Sequence, residues 1–279
     1  MRSMSNDTRS HAELKHHYDV ETSLADKLRH ATKAQRRTLY TEVYHELYRQ
    51  VPNHPMLLRR VSEQDSAARV RRQLRFLGRF LTPETVFMEV GAGDCALSIE
   101  VAKRVKTAYA IEISEAMASG AKWPPNAKLL ISDGTSIPVP EGSVTVAYSN
   151  QLMEHLHPDD AVEQLVQIHR ALNPGGCYIC TTPNRLNGPH DISKFFDQTA
   201  KGFHMKEYTF CELDAAFRRA GFDKVIKYVG GRAFYLRMPR ALARSFETIF
   251  EVLPFRVRRL VGNQLPCNAV LALRLVAIK

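Results

Sequence analysis

The chain has 279 residues, 44% of them hydrophobic, with a net charge of +10 and five cysteines. That length supports one sizeable core, and no apolar run approaches the roughly 20 residues that a membrane-spanning helix needs. The start, MRSMSNDTRSHAELKHH, has no apolar signal core, and the scattered, odd cysteines fit a reducing compartment, so a cytoplasmic location is expected.

Residues 1 to about 15 are short, polar and without period, the pattern of a disordered tail. From Tyr18 to Phe80 apolar residues recur at three and four: Leu24 and Leu28, then Leu39, Val43 and Leu47, then Val70, Leu74 and Leu77. Pro52 and Pro55 break the run. This predicts a tail and helical cap over 1–80, ahead of a second unit over 81–279 in which strand and helix alternate. Strands are expected near 85–90, 107–112, 127–132, 143–149, 176–182 and 222–229, with a terminal one from Asn268 to Ile278. Such alternation implies a parallel sheet with helices on both faces. Two insertions, 183–208 and 230–266, fall beyond the carboxyl ends of strands, where ligands sit in open α/β sheets. The second holds an amphipathic helix whose predicted face is Leu242, Phe246, Ile249, Phe250 and Leu253. Its default role is packing, with an acceptor lid or a weak membrane contact as the sharper readings.

Charge is spread unevenly: sixteen basic against nine acidic side chains over 1–80, fourteen against eighteen over 81–230, and nine against two over 231–279. Basic flanks can contact nucleic acid or an anionic membrane surface. Here the arginines are interleaved with apolar residues at helical spacing, which favours solvated or substrate-capping helix faces.

Chemistry concentrates in TVFMEVGAGDCALSIEVAKRVKTAYAIEISEAM, Thr85 to Met117. Gly91 and Gly93 stand where a strand becomes a helix, so the chain can bend sharply and a ligand can approach backbone without meeting a Cβ. Glu112 ends the next strand, where a carboxylate can accept both hydroxyls of a ribose. A nucleoside-containing cofactor is therefore expected. Pyrophosphate would need free amides and a third glycine, but Asp94 and Cys95 fill the turn and add negative charge, which argues against NAD. A cofactor carrying a sulfonium and an ammonium turns the acids Glu89 and Asp94 from repulsive to favourable.

On Glu89-Val90-Gly91-Ala92-Gly93 the chain resembles the class I S-adenosylmethionine-dependent methyltransferases, with Cys95 where that family usually has a third glycine. Three further matches follow in order: Asp133-Gly134 after the third strand, Ser149-Asn150 ending the fourth, and a Pro-Gly-Gly turn in ALNPGGCYICTTPN. The resemblance covers roughly Thr82 to Gly230. It implies an α/β, Rossmann-like sheet of seven mostly parallel strands in the order 3-2-1-4-5-7-6, and S-adenosyl-L-methionine as cofactor. Glu89, Gly91, Gly93, Glu112, Asp133, Gly134 and Asn150 become the expected cofactor-binding residues, with Asp133 and Gly134 on the adenine, Glu112 on the ribose and the glycines on the methionine portion.

Methyl transfer to an alcohol also needs a base within hydrogen-bond reach, and histidine is the usual choice. His155 comes first, because Glu154-His155 after the fourth strand is similar to the Glu-His motif of small-molecule methyltransferases of the ubiquinone-biosynthesis type; His190, beside Asp191, and His204 are its rivals in the first insertion. Phe195, Phe196 and Tyr208 are the expected acceptor walls. Cys177 and Cys180 lie three apart in a strand and so point to opposite faces, and no metal is expected. The expected function is O-methylation of a small hydroxylated acceptor such as a sugar or secondary metabolite. An RNA or tRNA methyltransferase, and a non-catalytic cofactor-binding partner subunit, are the alternatives.

Overall fold

The computed structural model describes residues 7–55, 57, 63–115, 122–231 and 234–279. Two helices open the chain, α1 (His11–His30) and α2 (Lys33–Gln50), each started by a reciprocal cap: Ser10 with Glu13, and Thr32 with Gln35. Such caps satisfy orphan amides of the first turn and fix where the helix begins. The expected tail of 1–15 is thus corrected, since helix begins at His11; residues 1–6 lie outside the described residues. A third helix, α3 (Glu63–Leu77), leads to the sheet.

The sheet contains β1 (Val86–Val90), β2 (Thr107–Glu112), β3 (Ala127–Ile131), β4 (Val144–Asn150), β5 (Leu172–Thr182), β6 (Lys224–Gly231), β7 (Phe234–Met238) and β8 (Leu273–Ile278). Its order is β3-β2-β1-β4-β5-β8-β6-β7. Strands β1 to β5 pair in parallel, and β8 slots antiparallel between β5 and β6. The Rossmann-like plan is as expected, with eight strands instead of seven. The additional edge strand β7 folds back on β6, pairing Gly231 with Phe234 and Val229 with Leu236. Its alternation explains it: Phe234 and Leu236 face outward at 60% and 59% exposure, while Tyr235 packs on Phe76 with ring centres 4.7 Å apart. The terminal strand starts at Leu273, because Cys267–Leu271 forms a short helix, α9, where extended chain was expected from Asn268.

Alternate residues of β1 feed two cores, as a doubly covered sheet requires. Met88 and Val90 join the core that holds Leu24, Leu28, Tyr40, Val43 and Leu47 of α1 and α2 with Leu165 and Ile168 of α5 (Pro158–Ala171). Phe87 joins Val70 and Leu77 of α3 and Leu97 and Val101 of α4 (Ala96–Ala102). Each such side chain contributes roughly 1.5–3 kcal/mol on burial, so the apolar spacing read from the sequence is what clamps these helices to the sheet.

Three further helices complete the chain: α6 (Phe210–Arg219), α7 (Arg240–Glu251) and α8 (Phe255–Gly262). On α7 the predicted face is offset from the real one. Ala243, Glu247 and Phe250 are buried, whereas Leu242 and Ile249 are 57% and 64% exposed. Buried Glu247 draws the helix round by accepting from the Phe210 amide (2.7 Å), the Cys211 amide (3.1 Å) and the Asn184 side chain (2.9 Å). These are the orphan donors of the start of α6 and a loop amide, a demand that hydrophobic spacing does not encode.

Candidate active site

The turn from β1 to α4 runs through three left-handed residues, Gly91 (φ 72°), Gly93 (φ 57°) and Cys95 (φ 57°). A Cβ on Gly91 would stand 2.9 Å from the Leu152 side chain, so that glycine is set by packing against the chain beyond β4. At Gly93 nothing lies within 4 Å of the same position, which leaves an open approach to the backbone. Glu112, at the end of β2, reaches across to this turn: its carboxylate accepts from the Gly93 amide (2.7 Å) and the Ile113 amide (2.8 Å). Carboxylate and glycine turn therefore form one unit.

Glu89 is buried beneath the turn and accepts from the Ser98 hydroxyl at 2.5 Å; burial pushes its carboxyl up to about 8. Asp94 divides its carboxylate: one oxygen accepts from the Ala96 amide of the turn at 3.3 Å, and Arg69 pairs with the other. Cys95 occupies the third-glycine position in left-handed conformation with its side chain fully buried. Burial pushes its thiol up to about 12, so it packs and does not react.

At the end of β3, one oxygen of Asp133 accepts from the amides of Thr135 (3.1 Å) and Ser136 (2.8 Å), and the other faces Arg37 at 3.3 Å. Burial would raise this carboxyl, but those amides outweigh it and hold it down at about 2. Gly134 adopts φ 93°, and Tyr40 of α2 lies over it, 3.2 Å from where a Cβ would be. Helix α2 is pinned there by Arg36, whose guanidinium grips buried Asp160 at 2.6 and 2.7 Å, and by the Tyr40 hydroxyl, which donates to Asp160 and accepts from the His157 amide. One turn on, Tyr44 reaches His155. So α2 spans the carboxyl ends of β3 and β4, in the crevice where open α/β sheets bind ligands.

Asn150 is the last residue of β4, and Gln151 after it is left-handed (φ 55°), a conformation that is uncommon for a side-chain-bearing residue and collects at functional edges. The chain then makes a 3-10 turn, Met153–His155. His155 Nδ1–H donates to the Phe203 carbonyl at 3.1 Å, with the Tyr44 hydroxyl at the same distance. Its ring meets that of His204 edge-on, centres 4.9 Å apart. His204 Nδ1–H donates to Glu207 at 2.7 Å, and the same carboxylate oxygen accepts from the His190 amide. Glu154 is fully buried; one of its oxygens accepts from Thr182 at 2.8 Å.

These surroundings separate the three histidines. Burial, with His204 adding to it, pushes His155 down to about 3. His190 is also lowered by burial, and its Nε2–H is held by the Asn184 carbonyl at 3.0 Å. Burial would lower His204 too, but its bond to Glu207 and the nearby Glu154 carry it up to about 8. His155 and His204 are thus brought together, whereas His190 joins them only through Glu207. Asp191 is no partner for His190, since its oxygens cap Ser193 and hold the Gly202 amide. Of the expected acceptor walls, Phe196 packs on Tyr18 of α1, ring centres 4.7 Å apart, and Tyr208 is buried in the core. Arg36, Tyr40, Tyr44, Asp160 and Glu207 were not legible as site residues, because each gains its place only through long-range packing.

Comparison with known proteins accords with this geometry. Residues 88–180 match the family described as a methyltransferase domain. The chain is 29% identical over 140 residues to a probable S-adenosylmethionine-dependent methyltransferase of Mycolicibacterium smegmatis, covering 49% of this chain and 51% of that protein. It is 31% identical over 114 residues to the malonyl-[acyl-carrier protein] O-methyltransferase of Xylella fastidiosa, covering 38% and 36%. The chain thus spans about half, or less, of the length of these relatives. A structure of the complex between the Haloferax volcanii Trm112 methyltransferase activator and a methyltransferase shares the fold, with a TM-score of 0.53 at 19% identity over 74% of this chain and 88% of that one. Residues 88–180 thus carry a methyltransferase domain, and the chain is similar in sequence and in fold to S-adenosylmethionine-dependent methyltransferases, whose cofactor is S-adenosylmethionine.

Proposed function

We propose that the protein methylates an oxygen of a small hydroxylated acceptor, such as a sugar or secondary metabolite. One observation carries the reading: Glu154, His155 and His204 gather beneath α2 at the end of β4, the neighbour of the glycine-turn strand β1. S-adenosylmethionine supplies an electrophilic methyl group on a sulfonium. The open face at Gly93 fits close approach of its methionine portion, and Gly91 keeps the turn that presents it. Glu112, already bonded to that turn, would take the ribose hydroxyls, and Asp133 with Gly134 the adenine, under Tyr40. Asn150 would stand over the cofactor at the end of β4, with Glu89 behind the turn. In this reading residues 1–80 form a cap unit on a catalytic unit of 81–279, with α2 as its lid.

An alcohol must lose its proton as its oxygen becomes a nucleophile. His204 is suited to take that proton where its ring is neutral, above about pH 8, because Glu207 fixes the ring through Nδ1–H and leaves Nε2 to accept. We therefore place His204 ahead of His155, which serves to position it, and of His190, which is held in the loop. Three arginines around the crevice are paired, Arg36 with Asp160, Arg37 with Asp133 and Arg69 with Asp94, so these three do not form a free phosphate track. This favours a small acceptor over RNA. The test is release of S-adenosylhomocysteine against a panel of sugars, phenols and polyketides. Turnover with one of them, cut by roughly 10²–10⁴ in His204→Ala while cofactor affinity holds, supports the reading. Methylation of RNA instead, or full turnover in His204→Ala, overturns it.

A further inference from the structure

We propose that Glu154, His155 and His204 form a binding site for one divalent transition-metal ion. One candidate ligand atom from each lies within 4.8 Å of the others. A cation bonded at about 2.0–2.2 Å holds its ligand atoms about 3–3.5 Å apart, so the three side chains need to draw in by no more than about 1–2 Å.

The hydrogen bonds already decide which atoms are available. Phe203 offers a carbonyl, which only accepts, so it fixes the proton on His155 Nδ1 and leaves the Nε2 lone pair free for a metal. Glu207 does the same for His204, and a carboxylate on the far nitrogen of a ligating imidazole is the arrangement that orients such ligands in metal sites. Glu154 accepts from Thr182 through one oxygen, while its other oxygen, Oε1, is buried and has no hydrogen-bond partner among the described residues. A buried carboxylate oxygen left unpaired is costly, and a cation would satisfy it.

A second cluster shows the contrast. His17, Glu21 and His54 are similarly close, but His17 has both nitrogens engaged, by Arg9 and by Glu21, and the remaining Glu21 oxygen accepts from the Phe203 amide. That cluster is a closed structural network with a guanidinium beside it. Two imidazoles and a carboxylate, by comparison, suit Mn²⁺, Fe²⁺, Co²⁺ or Zn²⁺ and leave positions open for water or an acceptor oxygen; the proton-accepting role of His204 then belongs to the ion-free chain, since a coordinated Nε2 cannot take a proton. The sequence alone predicts no metal, because the three residues are ligands only when the turn after β4 and the second half of the 183–208 insertion meet.

Calorimetric titration of the chelator-treated 279-residue chain with Mn²⁺, an ion that avoids the five thiols, tests the site without reference to turnover. The expected result is one ion per chain, with at least tenfold weaker binding in Glu154→Gln and in His204→Gln, and a 10- to 100-fold loss in Glu207→Gln. His17→Gln should bind as the wild type does. Absence of Mn²⁺ binding to the wild type overturns the inference whatever the variants do, as does equal binding by wild type and a folded Glu154→Gln. Cofactor titration of the same samples keeps this separate from the methyltransferase reading, since intact S-adenosylmethionine binding without Mn²⁺ binding sinks the metal alone.

Discussion

Glu112 has two jobs, which makes it the most informative single side chain. It accepts from the Gly93 and Ile113 amides, and it stands where a ribose is expected. Loss of a hydrogen bond to a charged group costs roughly 1.5–3 kcal/mol, so Glu112→Ala should weaken S-adenosylmethionine binding by about tenfold or more. Calorimetry on the folded variant checks this, and unchanged affinity would remove Glu112 from the site. Glu89 makes a pH prediction instead. Its folded carboxyl keeps its proton up to about 8, whereas the unfolded chain loses it near 4.5. Between those values the native state binds more protons, so this group makes stability fall as pH rises, with the loss complete only above about 8. Glu89→Gln cannot ionise, and its urea midpoint should decline less than the wild type's between pH 5 and 9; parallel declines would show that Glu89 is not the source. The glycine turn and the place of Glu112 beside it are legible in the sequence because they follow from local backbone geometry and strand position. The states of His155 and His204 are not, since each depends on what a distant loop buries against it.

Helix α2 shows how an element becomes part of a site without any motif. Its apolar spacing announces a core-facing helix, and Leu47, Val43 and Tyr40 are indeed buried. What the spacing does not announce is Arg36, an arginine on that same face, whose grip on Asp160 ties the helix to the start of α5. Removing one partner of a buried pair leaves the other charged and unpaired, at a cost of about 3–5 kcal/mol. Arg36→Ala should therefore destabilise the protein by that amount and also weaken cofactor binding, because Tyr40 over Gly134 loses its anchor. Chemical denaturation and calorimetry read the two effects separately. On α7 the predicted apolar face and the buried face differ, which yields a paired prediction. Phe250→Ala, at a buried position, should cost about 3–5 kcal/mol, and Leu242→Gln, 57% exposed, should stay within about 0.5 kcal/mol. Equal costs would mean that something covers Leu242 in solution. The edge strand β7 is hidden from the sequence for a related reason, as a five-residue strand next to a long amphipathic stretch has too short a period to stand out.

Across the whole molecule, the parallel half of the sheet follows from a repeating apolar pattern, and the candidate site lies where that pattern stops, at the carboxyl ends of β1 to β4. The pieces meeting there come from α2, from the turns after β1, β3 and β4, and from the 183–208 insertion, so the crevice is closed by segments far apart in sequence. A ligand that binds between them should stabilise the chain as a unit. By mass action, S-adenosylmethionine at a hundred times its dissociation constant adds about 2.7 kcal/mol to the folded state. For a chain of this length that corresponds to a rise in Tm of roughly 5–10 °C, at about 2–4 °C per kcal/mol. The distribution of the effect is as telling as its size. Hydrogen exchange should slow at the 91–95 turn and also across α2, because Tyr40 and Arg37 lie on the Asp133–Gly134 end of the site. NAD at the same concentration should produce neither change, since the Glu112 carboxylate already holds the Gly93 amide that a pyrophosphate would need. Protection confined to the turn, with α2 exchanging as before, would mean that the helix packs beside the cofactor site and does not cover it.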